Sequence, residues 1–260
     1  MSAIELSLVI PTRNEKANIR TLVDRVDAAL AGVDFEVVFV DDSTDGTDQL
    51  ICDMGCVDTR IRLLHRSENR GGLAGAVVDG FGCARGTYIC VLDADLQHPP
   101  DRIIRLLAEA RASGADVVIA SRYLPGGSTG GLDGALRQFY SRGLKHLSKL
   151  VFPRRLAGIT DPLGGYFLLR RSVVHGVELR PIGYKILLEV LVRCSWESAA
   201  EVPYRFQPRQ HGTSKANLNQ GLQFLHHLGR LFLDHSPACA LLRLAVRGLG
   251  GSAAPLGSRS

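Results

Sequence analysis

A chain of 260 residues, 45% hydrophobic and 22% charged, has an ordinary globular composition and is long enough to bury a sizeable core. Six cysteines with neither CxxC pairing nor the crowding of a secreted scaffold exclude a disulfide framework, and no apolar run reaches the roughly 18 residues of a membrane span. The net charge of +5 points to anionic partners (phosphates, acidic lipid or nucleic acid), but an aromatic content of 6% is too thin for a nucleic-acid stacking platform.

Residues 6–10 form the first predicted strand, ended by Pro11; with no basic region before it, no signal peptide is expected. Asn14 and Glu15 open a helix whose apolar positions Ile19, Leu22, Val23, Val26 and Leu30 fall at helical spacing. Residues 35–40 make a second strand, followed by the polar run Asp41, Asp42, Ser43, Thr44, Asp45, Gly46 and Thr47. That run matches the first half of a calcium loop, but Cys52 stands where a bidentate Glu is required, and a strand rather than a helix precedes it. Acidic residues at a strand end can instead accept from a nucleoside, or simply cap a turn. A third strand at 61–65 leads into a Gly-rich start and a helix; the glycines fit neither a dinucleotide fingerprint nor a P-loop.

Residues 88–92 are wholly apolar, as in a strand buried on both faces of a parallel sheet. They run straight into Asp93, Ala94, Asp95, Leu96 and Gln97, and Pro99–Pro100 stop the extended backbone. Carboxylates at i and i+2 with a carboxamide at i+4 stand where an α/β sheet puts its ligands, and such oxygens suit Mg²⁺ or Mn²⁺. His98 beside them is a tempting base, but the following Pro99 favours a structural role. A helix over 102–111 and a strand over 116–120 complete an alternating pattern. The expected fold is α/β, a doubly wound and mainly parallel sheet with helices on both faces.

Beyond residue 120 a Gly-rich loop leads to a helix over 134–151 that carries Arg137 and Ser141 on one face. A strand at 166–169, a helix at 184–193 bearing Lys185 and Glu189, and a strand at 202–206 follow. The loop 209–215 (RQHGTSK) is basic, and Arg209 and Lys215 could act as charge-assisted donors to phosphate. In the tail, Leu222, Leu225, Leu228, Leu231 and Phe232 read as one helical stripe with His226, His227 and Arg230 off it. Such a segment suits either an anionic membrane surface or packing as a last helix, and 250–260 reads as disordered.

In order, the motifs VIPTRNE, VDDSTDGT, LDADLQHPP, ASRYLPGG, DPLGGYF, GYKILLE and RQHGTSK resemble the inverting, metal-dependent glycosyltransferases of GT-A fold. Within these the likeness is to the polyprenyl-phosphate (dolichyl-phosphate) mannose synthases, over about residues 6–215. The resemblance implies a glycosyltransferase domain over 1–216, with a nucleotide-binding half (1–121) and an acceptor-binding half (122–216), then a C-terminal helix and tail (217–260). It implies that Pro11, Thr12, Glu15, Asp41, Asp42 and Asp93 meet the nucleotide-sugar, and that Asp93, Asp95 and Gln97 hold Mg²⁺ or Mn²⁺. Asp95, Arg122, Arg209 and Lys215 would carry catalysis, and Arg137, Ser141, Asp161 and Lys185 the acceptor side. The implied donor is GDP-mannose and the implied acceptor a polyprenyl phosphate, used by a peripheral protein on the cytoplasmic face of a membrane, with or without a separate anchoring subunit.

Two departures stand out. One residue fewer separates the acidic pair from Ser43 than in the family pattern, so either Asp41 or Asp42 could meet the base. The acceptor motif reads Asp161, Pro162, Leu163, Gly164 and Gly165, so a hydroxyl of the family pattern is missing. The alternatives are transfer from UDP-glucose or another UDP-sugar and, remotely, a non-catalytic basic nucleic-acid-binding protein.

Overall fold

The computed structural model describes residues 4–130, 135–209 and 218–235. Lys215 and the apolar segment 239–246 lie outside them. Seven strands make one sheet in the order β3-β2-β1-β4-β6-β5-β7. They are β1 (Leu6–Thr12), β2 (Phe35–Asp41), β3 (Ile61–His65), β4 (Tyr88–Val91), β5 (Val117–Ser121), β6 (Phe167–Arg170) and β7 (Ala199–Pro203). Only β6 runs against its neighbours, pairing antiparallel with both β4 and β5.

The helices are α1 (Lys16–Ala29), α2 (Thr47–Val57), α3 (Gly72–Cys83), α4 (Ile103–Ser113), α5 (Ala135–Val151), the single turn α6 (Arg171–Val174), α7 (Ile186–Arg193) and α8 (Leu218–His235). Alternation along each strand sorts the core into two layers. Leu6, Leu8, Ile10, Tyr88, Cys90 and Leu92 pack on one face with α1 and α4. Val9, Ile89 and Val91 pack on the other face with α3 and α7. A strand covered on both sides has no polar face to show, which is why β4 reads as an unbroken apolar run.

Three expectations need correction. Pro11 does not end β1, which runs to Thr12 beside Asp41 of β2. β4 pairs with β1 only as far as Val9, so Pro11 owes no ladder hydrogen bond on that side. The last strand is 199–203 rather than 202–206: the Tyr204 N–H still donates to the Ser121 carbonyl at 3.0 Å, but beyond β5 the chain meets only the isolated bridge at Ser128, while the rings of Tyr204 and Phe206 pack with His98. The tail helix is rotated from the expected stripe. Phe224, His227, Leu228 and Leu231 are buried, whereas Leu222, Leu225 and Phe232 are exposed. His227 turns inward because its Nδ1 accepts from the Ile182 N–H at 3.2 Å and its Nε2 lies 3.5 Å from the buried Glu189 of α7. Among the described residues no helix is long and apolar enough to cross a membrane.

Candidate active site

The carboxyl ends of β1, β2 and β4 open on one edge of the sheet, and the loops there are laced together. After β1, Asn14 takes a left-handed backbone (φ 58), which Asn tolerates. Its N–H donates to Ser43 Oγ at 2.7 Å, and its Oδ1 accepts the Thr44 N–H at 2.9 Å. Glu15 N–H donates to Thr47 Oγ1 at 3.2 Å. Asp41 is fully buried. Its carboxylate accepts from Thr12 Oγ1 (2.8 Å), Ser43 Oγ (2.6 Å) and Ser43 N–H (3.1 Å), and it faces His65 Nδ1 at 3.2 Å.

Asp42 is gripped by both arms of Arg66, with Nε to Oδ1 at 2.7 Å and Nη2 to Oδ2. Arg66 also reaches Asp79 and the carbonyls of Arg70 and Gly72, where Gly71 and Gly72 take positive φ to start α3. Asp41 and Asp42 therefore shape the walls of this pocket through internal bonds. Arg66, which the motifs did not single out, is the residue that fixes Asp42.

The turn after β4 is the centre of the site. Leu96 has φ 63, a conformation that costs a bulky side chain on the order of 1–3 kcal/mol, and its side chain is locked in the core. That kink lies between Asp95 and Gln97. Gln97 N–H donates to Asp95 Oδ1 at 3.0 Å, and Gln97 Nε2 donates to the Gln207 carbonyl at 3.1 Å. Arg209 Nη2 donates to Asp95 Oδ2 at 2.6 Å and to Gln97 Oε1 at 3.4 Å. The Asp93 carboxyl is pushed up to about 6 by loss of water, against the pull of Lys185, Arg209 and Arg122. Desolvation and the neighbouring Asp93 also raise Asp95.

His98 Nδ1 accepts the Asp93 N–H at 3.0 Å, so the ring's hydrogen sits on Nε2. Burial draws its pKa down to about 4, and the ring stacks on Tyr166 with centroids 5.0 Å apart. His98 is a neutral pin under the turn. Two carboxylates and a carboxamide oxygen, with a guanidinium already on two of the three residues, form a donor set that fits a hard divalent cation. Mg²⁺ in particular is commonly held by one or two carboxylates together with substrate phosphates.

Across the cleft, Arg122 follows β5 and is buried. It forms a two-pronged pair with fully buried Asp161 at 2.8 and 2.9 Å. Glu201 of β7 accepts the backbone N–H groups of Thr160 and Asp161, at 2.8 and 3.1 Å. Asp161 thus stands behind Arg122 and aims it. Lys185 Nζ donates to the Leu163 carbonyl at 2.9 Å. Lys145 of α5, also outside the expected set, sits 3.6 Å over the Tyr123 ring, whose hydroxyl lies 3.4 Å from Ser141 Oγ. Arg137 belongs to the same helix.

The backbone that delivers Lys185 is anchored from behind. Glu189 Oε1 accepts from Arg180 N–H (2.8 Å) and Arg193 Nε (2.7 Å), and Arg193 Nη2 reaches Asp234 of α8 at 2.9 Å. The Tyr204 hydroxyl, buried in the aromatic cluster with His98 and Tyr166, has no hydrogen-bond partner among the described residues.

A doubly wound sheet with one reversed strand sets its acidic turns at the carboxyl edge, where such sheets bind their ligands. Its likeness to solved structures is one of fold. Glucosyl-3-phosphoglycerate synthase from Mycobacterium tuberculosis, in complex with Mn²⁺, UDP-glucose and phosphoglyceric acid, superposes with a TM-score of 0.64 at 19% identity, covering 88% of this chain and 79% of that one. Residues 7–177 match the model of glycosyl transferase family 2, and the chain belongs to that family.

Among its relatives, a dolichol-phosphate mannosyltransferase of Pyrococcus furiosus is 36% identical over 249 residues, covering 95% of this chain and 69% of the relative. The Saccharomyces cerevisiae dolichol-phosphate mannosyltransferase is 31% identical over 89% of this chain and 88% of its own. A polyprenol monophosphomannose synthase of Mycolicibacterium smegmatis is 36% identical, over 80% and 79% respectively.

Proposed function

We propose that the chain transfers mannose from GDP-mannose to a polyprenyl (dolichyl-type) phosphate, with inversion at the anomeric carbon. The names of its relatives support the sugar and the lipid. The observation that carries the mechanism is the gathering of Arg122, Lys185 and Arg209 about Asp93, with Arg209 on Asp95 at 2.6 Å, around a turn whose histidine is neutral and already hydrogen-bonded. A phosphate ester is mostly dianionic at pH 7, its second pKa being about 6, so it attacks without a general base. Its oxygen forms the new bond to the anomeric carbon as the bond from that carbon to the nucleoside diphosphate breaks, and a single displacement inverts the centre.

Asp93, Asp95 and Gln97 would hold a Mg²⁺ or Mn²⁺ ion, which when bound neutralises charge on the departing diphosphate. Arg122 and Lys185 present fixed positive charge to the reacting phosphates, with Asp161 and the Leu163 carbonyl orienting them. Lys145 and Ser141 of α5 border the acceptor side, and Arg137 is assigned to it as a member of the same helix. The exposed Leu222, Leu225, Phe232 and Leu233 of α8 suit a protein held peripherally against a membrane. Thermal protection by a panel of GDP- and UDP-sugars, with and without Mn²⁺, tests the donor. Protection by UDP-glucose but not by GDP-mannose would overturn the mannose assignment.

Two outcomes follow for this chemistry. Short-chain polyprenyl phosphates are expected to accept sugar and the matching free alcohols are not. Equal transfer to the alcohol, measured with radiolabelled donor, would require a general base and sink the phosphate-nucleophile mechanism.

The second outcome concerns pH. Burial draws the Lys185 ammonium down to about 8, helped by the charge of Arg122. The free enzyme then loses this cation above about pH 8, and kcat/KM should fall there. Stability moves the other way: the unfolded chain keeps that proton up to the ordinary value of 10.5, so between the two values rising pH favours folding. Lys185→Arg, which cannot deprotonate, should erase the alkaline fall at whatever rate it retains. A fall that persists in Lys185→Arg belongs to another group.

A further inference from the structure

Arg209 stands where the proposed function puts a metal ion. One nitrogen, Nη2, meets Asp95 Oδ2 at 2.6 Å and Gln97 Oε1 at 3.4 Å, two of the oxygens the turn offers to a cation. The contact is held by backbone. Gln207 N–H donates to the Gln97 carbonyl at 3.0 Å and Gln97 Nε2 returns a bond to the Gln207 carbonyl at 3.1 Å, two residues before Arg209. Pro208 between them favours an extended Gln207.

Asp95 Oδ1 already accepts the Gln97 N–H, so an ion that binds through Oδ2 meets the guanidinium there, and repulsion between the two cations favours turning Arg209 out. The displaced guanidinium is still tethered at Gln207, close to wherever a metal-bound diphosphate lies, and its fork matches phosphate oxygens.

We propose that Arg209 is a resident counter-cation that couples metal binding to nucleoside-diphosphate binding: the metal displaces it from Asp95, and the diphosphate receives it. This rests on the reading of Asp95 and Gln97 as metal ligands. The metal alone then binds weakly, because it must first break a native ion pair. The diphosphate strengthens metal binding by more than direct coordination supplies, and the metal strengthens diphosphate binding by the same factor. A charge-assisted hydrogen bond is worth about tenfold to a hundredfold in an equilibrium constant, which sets the size of the extra coupling.

The test is Mn²⁺ affinity of the full chain, read from the paramagnetic resonance signal of free Mn²⁺ with and without saturating GDP or, in a second arm, UDP. In Arg209→Gln, Mn²⁺ alone should bind about tenfold tighter than in the unaltered protein. The factor by which the diphosphate enhances Mn²⁺ binding should drop by about tenfold or more. Arg209→Lys, which keeps the charge but loses the fork, should fall between and serves if the glutamine variant does not fold. Tighter Mn²⁺ binding with an unchanged enhancement would mean that Arg209 is a stationary repelling charge, and would overturn the coupling while leaving the metal site standing. Absence of Mn²⁺ binding under every condition would overturn both.

Discussion

Asp95→Ala is expected to abolish sugar transfer, by at least about a hundredfold to a thousandfold in kcat/KM, while the protein stays folded. The side chain is the meeting point of the turn: Oδ1 accepts the Gln97 N–H and Oδ2 holds Arg209. Its removal takes away one of the two carboxylates for the proposed metal and, with it, the 2.6 Å contact to Arg209. Burial and the neighbouring Asp93 already make its charge costly in the folded state, since both raise its pKa. The variant should therefore lose little stability, because Leu96 beside it keeps its place in the core. Turnover and melting temperature measured on the same preparation decide the matter. Wild-type turnover in Asp95→Ala, or undiminished activity of the unaltered protein in EDTA, would remove the metal from the mechanism.

The second large effect is on stability. Asp161→Ala is expected to destabilise the fold by about 3–5 kcal/mol, because it strands a buried guanidinium whose only two-pronged partner among the described residues is that carboxylate. At roughly 2–4 °C per kcal/mol for a chain of this size, the melting temperature should fall by about 10 °C. Removing the pair together separates structure from function. Arg122→Met with Asp161→Leu should recover most of the lost stability, since a buried ion pair gains little over apolar packing of similar volume. It should not recover activity, because the positive charge facing Asp93 is then gone. If the double variant transfers sugar at the original rate, the pair is structural and Arg122 leaves the active site.

Much of this arrangement could be read from the sequence, and what could not has identifiable physical reasons. Apolar runs bounded by acidic turns mark strand ends, so β1, β2 and β4 and the loops that carry Asp41 and Asp95 were legible. The reversal of β6 was not, since so short an apolar run reads the same in either direction. The pair of Arg209 with Asp95 spans 114 residues, beyond the reach of any spacing rule. The left-handed backbone of Leu96 was hidden because a leucine there ordinarily signals core and nothing more. His227 was set among the polar residues of its helix, and only the buried Glu189 opposite explains why it faces inward. Tyr204 and Phe206 gave 202–206 the look of a strand, yet their rings answer to His98 and Tyr166. Arg66 and Lys145 belong to none of the motifs, and only their partners in the fold, Asp42 and the Tyr123 ring, bring them out.

Because β6 returns beside β5 in the opposite direction, residues 122–166 leave the sheet and come back at the same edge, as the tip of one very long hairpin. The rest of the chain does not pass through this excursion to complete its strands, and the Arg122–Asp161 pair clasps the two ends together. The stretch proposed to meet the acceptor thus begins and ends at fixed points of the sheet, yet it is no detachable loop. Leu144, Phe152, Leu156 and Leu163 sink it into the common core and Tyr166 stacks on His98, so a change in the acceptor half is felt at the donor turn through packing rather than through the strands.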